Sequence, residues 1–241
     1  MLFFGKIFNK TLLLLLFIAS ISFAGETLTD SKIQGRLNII NGASAECVMH
    51  KFYTNSGWTQ INGAIGRNGI DGLYYKEQGN IIKEVLVAES KWNTSNLGFS
   101  GKGKTVKQMS QEWVLRTLNK LVKKIDTQVY RTIRNFIEHD QYRARLVRLK
   151  PVGKNSIQMT IYRVKNKGLK VFETIKDTQL PPIDITAPKN SFESGIVVAY
   201  NDCRRKYLKK YLPILKDAEI SLLLQDNYIQ KNDVLRFTKK N

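Results

Sequence analysis

Helical and extended apolar patterns alternate along this chain, and the alternation predicts an α/β (α+β) fold, a small mixed β-sheet flanked by helices. Three observations carry the prediction. Apolar residues recur at roughly helical spacing both before and after a pair of strand-like stretches. The strand-like stretches come in pairs, joined by the turn residues Gly79-Asn80 and Gly153-Lys154-Asn155. Hydrophobic residues make up 42% of the 241, which is enough for a globular core and excludes a wholly disordered chain.

The first 24 residues stand apart from that fold. Lys6 and Lys10 form a basic start, Thr11 to Ile18 reads TLLLLLFI, and Ser22-Phe23-Ala24 puts small residues where a signal peptidase reads. The pattern predicts a signal peptide over residues 1–24, cleaved after Ala24, and a periplasmic or secreted bacterial protein. No later stretch is apolar for long enough to cross a bilayer, so no stable membrane span is expected after cleavage.

Residues 25–36 read as a polar leader. Ile39, Ile40, Ala43, Cys47, Val48 and Phe52 predict a helix that starts at Gly42 or Ser44 and stops before Asn55-Ser56-Gly57. Trp58 to Ile65 reads as a short extended segment, and Asn68-Gly69 as a turn. Ile70 to Lys76 and Ile81 to Lys91 are predicted as a hairpin about Gly79-Asn80. The stretch NTSNLGFSGKGK is a loop. Thr105 to Ile125 is predicted as one amphipathic helix, with Val106, Met109, Trp113, Leu115, Leu118, Leu121, Val122 and Ile125 inward.

A second helix is expected from Thr127 to His139. Arg143 to Leu149 and Ser156 to Val164 alternate apolar and polar residues and read as strands. Pro181-Pro182 opens a linker, and Tyr200 to Leu215 reads as a basic helix. From Ile220 onward the pattern chooses no element. The mature chain divides into a domain over residues 25–180 and a basic C-terminal extension over 181–241 that packs on it.

The formal net charge is +19, and removing the two signal-peptide lysines leaves +17. A surface this positive attracts polyanions such as nucleic acid, anionic lipid or acidic polysaccharide, and by itself says nothing of catalysis. Two cysteines, Cys47 and Cys203, either close a long loop or stay as buried thiols. Two histidines and two cysteines so scattered give no zinc-ligand spacing. His50 and His139 read as surface or helix-face residues, and Trp113 as core.

The stretch that carries chemistry is GIDGLYYK followed by KEVLVAESK. Glu89 and Lys91 are two apart on a strand and project to one side. Pairing through Gly79-Asn80 brings Asp71 to the same sheet end. Two carboxylates together are unfavourable unless a cation or proton relieves them. Mg2+ or Mn2+ is the cation expected, held by Asp71, Glu89 and the carbonyl of Ser90, with Lys91 orienting water or neutralising charge on a phosphate.

Asp71 and the Glu89-Ser90-Lys91 run resemble the motif of the PD-(D/E)XK nuclease superfamily, whose core is the restriction-endonuclease-like fold. The proline that names the motif is replaced here by Ile70. The run GRNGIDGLYYK, IKEVLVAESKWN and KQMSQEW also resembles nuclease modules of bacterial polymorphic and contact-dependent toxins. The resemblance spans about Gly42 to Lys124 and, more weakly, the strands to Val164.

The resemblance implies a metal-dependent endonuclease in which Asp71, Glu89, Lys91 and Gln108 are catalytic, Gln108 lying at the start of the following helix. It implies Glu46 of the first helix as a further metal ligand. It implies DNA as substrate in preference to RNA, and an immunity protein as a partner only where the enzyme meets host cytoplasm. Nucleic-acid contacts are expected from Lys102 and Lys104 in the loop, from Trp92 by stacking, and from Arg204 and Arg205, with Lys206, Lys209 and Lys210 beside them. The rival expectations are a nuclease that cleaves RNA, transfer RNA in particular, and a non-catalytic basic envelope protein that grips nucleic acid or anionic lipid.

Overall fold

The structure is a computed structural model that describes residues 28–61, 69–100, 106–165, 174–225 and 228–238. The predicted signal peptide, Asn68 of the predicted turn, and Lys102 and Lys104 lie outside the described residues. Among those described, no helix is long and apolar enough to cross a membrane.

The first helix, α1 (Asp30–Asn55), is 26 residues long. It therefore begins well before Gly42, and most of the expected polar leader is helical. Ile33, Leu37 and Ile40 supply the reason: they are buried at helical spacing on one stripe. A short strand, β1 (Thr59–Gln60), leads to the hairpin of β2 (Gly72–Gln78) and β3 (Ile81–Trp92). Gly79 and Asn80 have φ of 57° and 61°, the paired left-handed geometry that matches the twist of a two-residue hairpin.

Residues 106–121 depart from the single helix expected. Val106-Lys107 is a strand, β5, paired with β4 (Phe99–Ser100). Met109 then takes φ of 71°, and α2 (Gln111–Leu118) starts only after Ser110, whose side chain accepts from the Trp113 amide. A single 3-10 turn, Asn119–Leu121, follows. Val106, Met109 and Trp113 are all buried, so their spacing imitated a helix that the Ser110 cap does not allow to begin before residue 111.

The helix α3 (Thr127–Glu138) is capped by Asp126, and the long strands β6 (Arg143–Val152) and β7 (Ser156–Val164) turn at Gly153. Then come the edge strand β8 (Thr174–Gln179) and β9 (Ile183–Asp184), the latter within the expected linker. The last elements are α4 (Ser191–Tyr211), α5 (Asp217–Leu223) and α6 (Lys231–Thr238). α4 begins nine residues before Tyr200 because the Asn190 side chain caps it at Glu193.

The main sheet has seven strands in the order β1-β2-β3-β6-β7-β8, with β9 also on β7. It is mixed: β3 and β6 are parallel, with Glu89 opposite Leu146, and the other pairs are antiparallel. A parallel pair needs a crossover, and residues 93–142 with α2 and α3 supply it. Alternation along β3 sends Leu86 and Ala88 to a core shared with α1 and α4, and Val85 and Val87 to a core shared with α2 and α3. The fold is thus a mixed sheet covered by helices on both faces.

A third core joins the two ends of the chain. Ile33, Leu37 and Ile40 of α1 pack with Leu208, Leu212, Ile220, Leu223 and Val234 of the C-terminal helices. The cysteines do meet: Cys47 on α1 and Cys203 on α4 form a disulfide with their Cα atoms 6.3 Å apart. Gly72 is required by a close approach, since a Cβ there would lie 2.5 Å from Tyr74 Cε2.

Candidate active site

Asp71, just ahead of β2, and Glu89, near the end of β3, face one another across the hairpin. Gly72 is in register with Ala88, which makes Asp71 and Glu89 the next opposed positions. Asp71 Oδ2 accepts hydrogen bonds from the Ser90 amide at 2.8 Å and from Ser90 Oγ at 2.9 Å. Glu89 is only 2% exposed. Its Oε1 accepts from Lys91 Nζ at 2.8 Å and from Gln108 Nε2 at 3.0 Å, while its buried Oε2 has no hydrogen-bond partner among the described residues.

Gln108 is fixed at its other end. Its Oε1 accepts from the Gly98 amide at 2.8 Å, and its own amide donates to the Gly98 carbonyl at 2.9 Å. It sits in the turn before α2 rather than on a helix, which corrects the expected setting while leaving the side chain against Glu89. The loop after β3 is held by Arg148, opposite Lys91 on β6, which donates to the Asn93 carbonyl at 2.7 Å and to Asn96 Oδ1 at 3.2 Å.

Burial above all, and then the charge of Asp71, push the Glu89 carboxyl up to about 8, against the pull of Lys91. Burial also raises Asp71, helped by Glu46 and opposed by the Ser90 hydrogen bonds and Lys91. Glu46, Asp71, Glu89, Ser90, Lys91 and Gln108 share a cavity of about 540 Å³, lined also by Asn38, Gly42 and Trp92. Among the described residues its lining holds three acids, Glu46, Asp71 and Glu89, and one base, Lys91, in a chain that carries 39 bases and 20 acids.

The donors fit a hard divalent cation. Mg2+ is held by one or two carboxylates, a carbonyl and waters, and the free Glu89 Oε2 is a buried acceptor with nothing to accept from. Glu46 is different. Among the described residues no three His, Cys, Asp or Glu side chains are grouped to hold a metal, so Glu46 is not gathered into a three-acid site. Instead it lies 3.5 Å from His50 Nε2, and His50 Nδ1 is 2.5 Å from the Tyr74 hydroxyl.

The nucleic-acid contacts fare unevenly. Arg204 is 1% exposed, donates to Asn41 Oδ1 and lies over the Tyr200 ring, so it is a core residue and not a surface phosphate contact. Arg205 is exposed and reaches Ser221 Oγ at 3.4 Å. Trp92 lines the cavity, and its ring runs near parallel to those of Tyr200 and Tyr228, at centroid distances of 6.5 and 6.4 Å. Lys209 pairs with Asp217, and Lys206 and Lys210 lie over Tyr207.

Asn38 and Gly42 were missed from sequence. They precede Glu46 by eight and four residues, the spacing that puts all three on one face of α1. That spacing was visible, but it requires a helix that starts before Gly42. His139 Nδ1 donates to the Asn135 carbonyl, outside the cavity lining. No family model, curated protein or solved structure matches this chain.

Proposed function

We propose that this protein is an exported, divalent-metal-dependent nuclease of the PD-(D/E)XK, restriction-endonuclease-like kind, with DNA as its favoured substrate. The observation that carries the reading is the meeting of Asp71, Glu89, Lys91 and Gln108 in one cavity, with a buried carboxylate oxygen left unpaired. Strand-end charges that merely face solvent do not become 2% exposed, nor do they share two hydrogen bonds with neighbours drawn from β3 and the α2 turn.

Asp71 and Glu89, with the Ser90 carbonyl, would hold Mg2+ or Mn2+, which when bound supplies Lewis-acid stabilisation of a phosphoryl oxygen and a water of lowered pKa. Ser90 orients Asp71 by two hydrogen bonds to one oxygen, Oδ2, which leaves Oδ1 out of that contact. Lys91, 16% exposed at its side chain, sits where it can donate to a phosphate oxygen or to the attacking water. Gln108 locks the Glu89 carboxylate in one orientation and ties it to the loop at Gly98. The basic exterior concentrates a polyanionic substrate around an acidic cleft.

The test is incubation of purified protein with plasmid and with total RNA, in Mg2+ and in EDTA. Cleavage in Mg2+ alone is expected, and Asp71→Ala and Lys91→Ala should each lower it by about 10²-fold or more with melting still cooperative. Equal cleavage by either variant and the wild type would remove the assignment. Degradation of RNA with plasmid untouched would transfer it to RNA.

A further inference from the structure

Gly42 is a glycine that the fold does not need. It lies inside the 26-residue α1, where glycine is less favourable than alanine. A Cβ built on it would meet no atom within 4 Å, whereas one on Gly72 would strike the Tyr74 ring and one on Gly195 would press on Lys51 and Asn55. Gly42 does, however, line the cavity, so the space before it is cavity space and the cavity runs against bare helix backbone. Gly35 of the same helix is equally open but lies outside the cavity lining.

The neighbours on that face point the same way. One turn before Gly42, Asn38 Oδ1 accepts from Gln34 Nε2 at 3.0 Å, which orients the amide and leaves Nδ2 as the donor for a ligand. In the same cavity the buried Glu89 Oε2 has no partner. A neutral amide donor and an open helix face suit a group rich in acceptors that must come close to the backbone.

We infer that α1 forms a substrate subsite in which a sugar-phosphate strand crosses the helix at Gly42 and Asn38 donates to a non-bridging phosphate oxygen, directing the chain toward Asp71 and Glu89. This rests on the nuclease reading and adds to it the wall along which the strand runs. A side chain at position 42 would fill the path without touching the fold.

Gly35→Ala, Gly42→Ala, Gly42→Leu and Asn38→Ala are compared with the wild type by thermal melting, by KM and kcat on plasmid, and by the affinity of a fluorescein-labelled phosphorothioate DNA oligonucleotide in Mg2+ at physiological salt. Both alanine-for-glycine changes should raise Tm. Gly42→Ala and Asn38→Ala should raise KM and probe Kd about 3–10-fold, and Gly42→Leu at least about 30-fold, with kcat changed less than about twofold. Gly35→Ala should change neither constant. Wild-type affinity in Gly42→Leu overturns the subsite, whether or not the protein cleaves. Absence of cleavage by the wild type overturns the nuclease reading, and the probe affinities still decide the subsite.

Discussion

Replacing Glu89 by glutamine keeps the shape of the side chain and its acceptor for Lys91, and removes one titration. The carboxyl ordinarily titrates near 4.5 and in the fold is pushed up to about 8. Below the lower value both folded and unfolded chains hold the proton, and nothing is gained or lost. Between the two values the unfolded chain has released it and the folded one has not, so stability falls as pH rises. Above about 8 both have released it, and the penalty stays at its full size. At about 1.4 kcal/mol per pH unit, the penalty is on the order of 3 kcal/mol at neutral pH and 4 kcal/mol or more in mild alkali.

The glutamine variant escapes this cost. In EDTA its Tm should pull ahead of the wild type's progressively from about pH 5 to about pH 8 and then run parallel, a lead of several degrees at roughly 2–4 °C per kcal/mol for a chain of this size. Thermal melts followed by circular dichroism across that range measure it, and plasmid cleavage in Mg2+ should be lost in the same variant. A gain in stability with a loss of activity marks a group kept for chemistry. Parallel Tm profiles, or a variant less stable than the wild type at every pH, would show that Glu89 is not held desolvated without a full set of partners, and the reasoning would fail.

Two further outcomes follow from the packing. Cutting the bridge by Cys47→Ser, or by reducing agent, should cost roughly 2–5 kcal/mol in a urea titration because the closed loop is long; an unchanged midpoint would mean that α1 and α4 are held by their apolar contacts alone. Arg204→Met should be neutral or stabilising, since two of the guanidinium nitrogens are buried without partners, and probe affinity should stay at the wild-type value; a large loss of binding would return Arg204 to the nucleic-acid interface.

The hairpin and its three charged residues were legible because everything that makes them is local. Period-two alternation, a Gly-Asn turn and a Glu-x-Lys spacing lie within Asp71 to Lys91, and register follows from the turn. What was illegible depends on distant partners. The start of α1, before Leu37, reads as polar because Ile33, with Leu37 and Ile40, finds its cover on α4, α5 and α6, more than 160 residues later. Arg204 reads as a surface cation because nothing in its neighbourhood announces Asn41. The stretch from Val106 to Trp113 was misread for the opposite reason: a strand, a left-handed turn and a helix start together place apolar residues at the spacing of a single helix.

The chain's charge and its cavity pull in opposite directions, and that opposition bears most on function. A surface that is basic everywhere would hold a polyanion anywhere on it, without registering any one bond. Here the described residues that line the cleft include three acids and a single lysine, and that lysine is already paired with Glu89. A phosphate therefore finds no free cationic side chain among the described lining residues where Asp71 and Glu89 converge, and these two raised carboxyls ionise together more readily with a cation between them. On the nuclease reading proposed above, long-range attraction would bring the strand to the protein, and a bound divalent ion would let it enter the cleft. On that reading, the same two carboxylates, a liability in a storage or coating protein, would couple substrate entry to the presence of the metal.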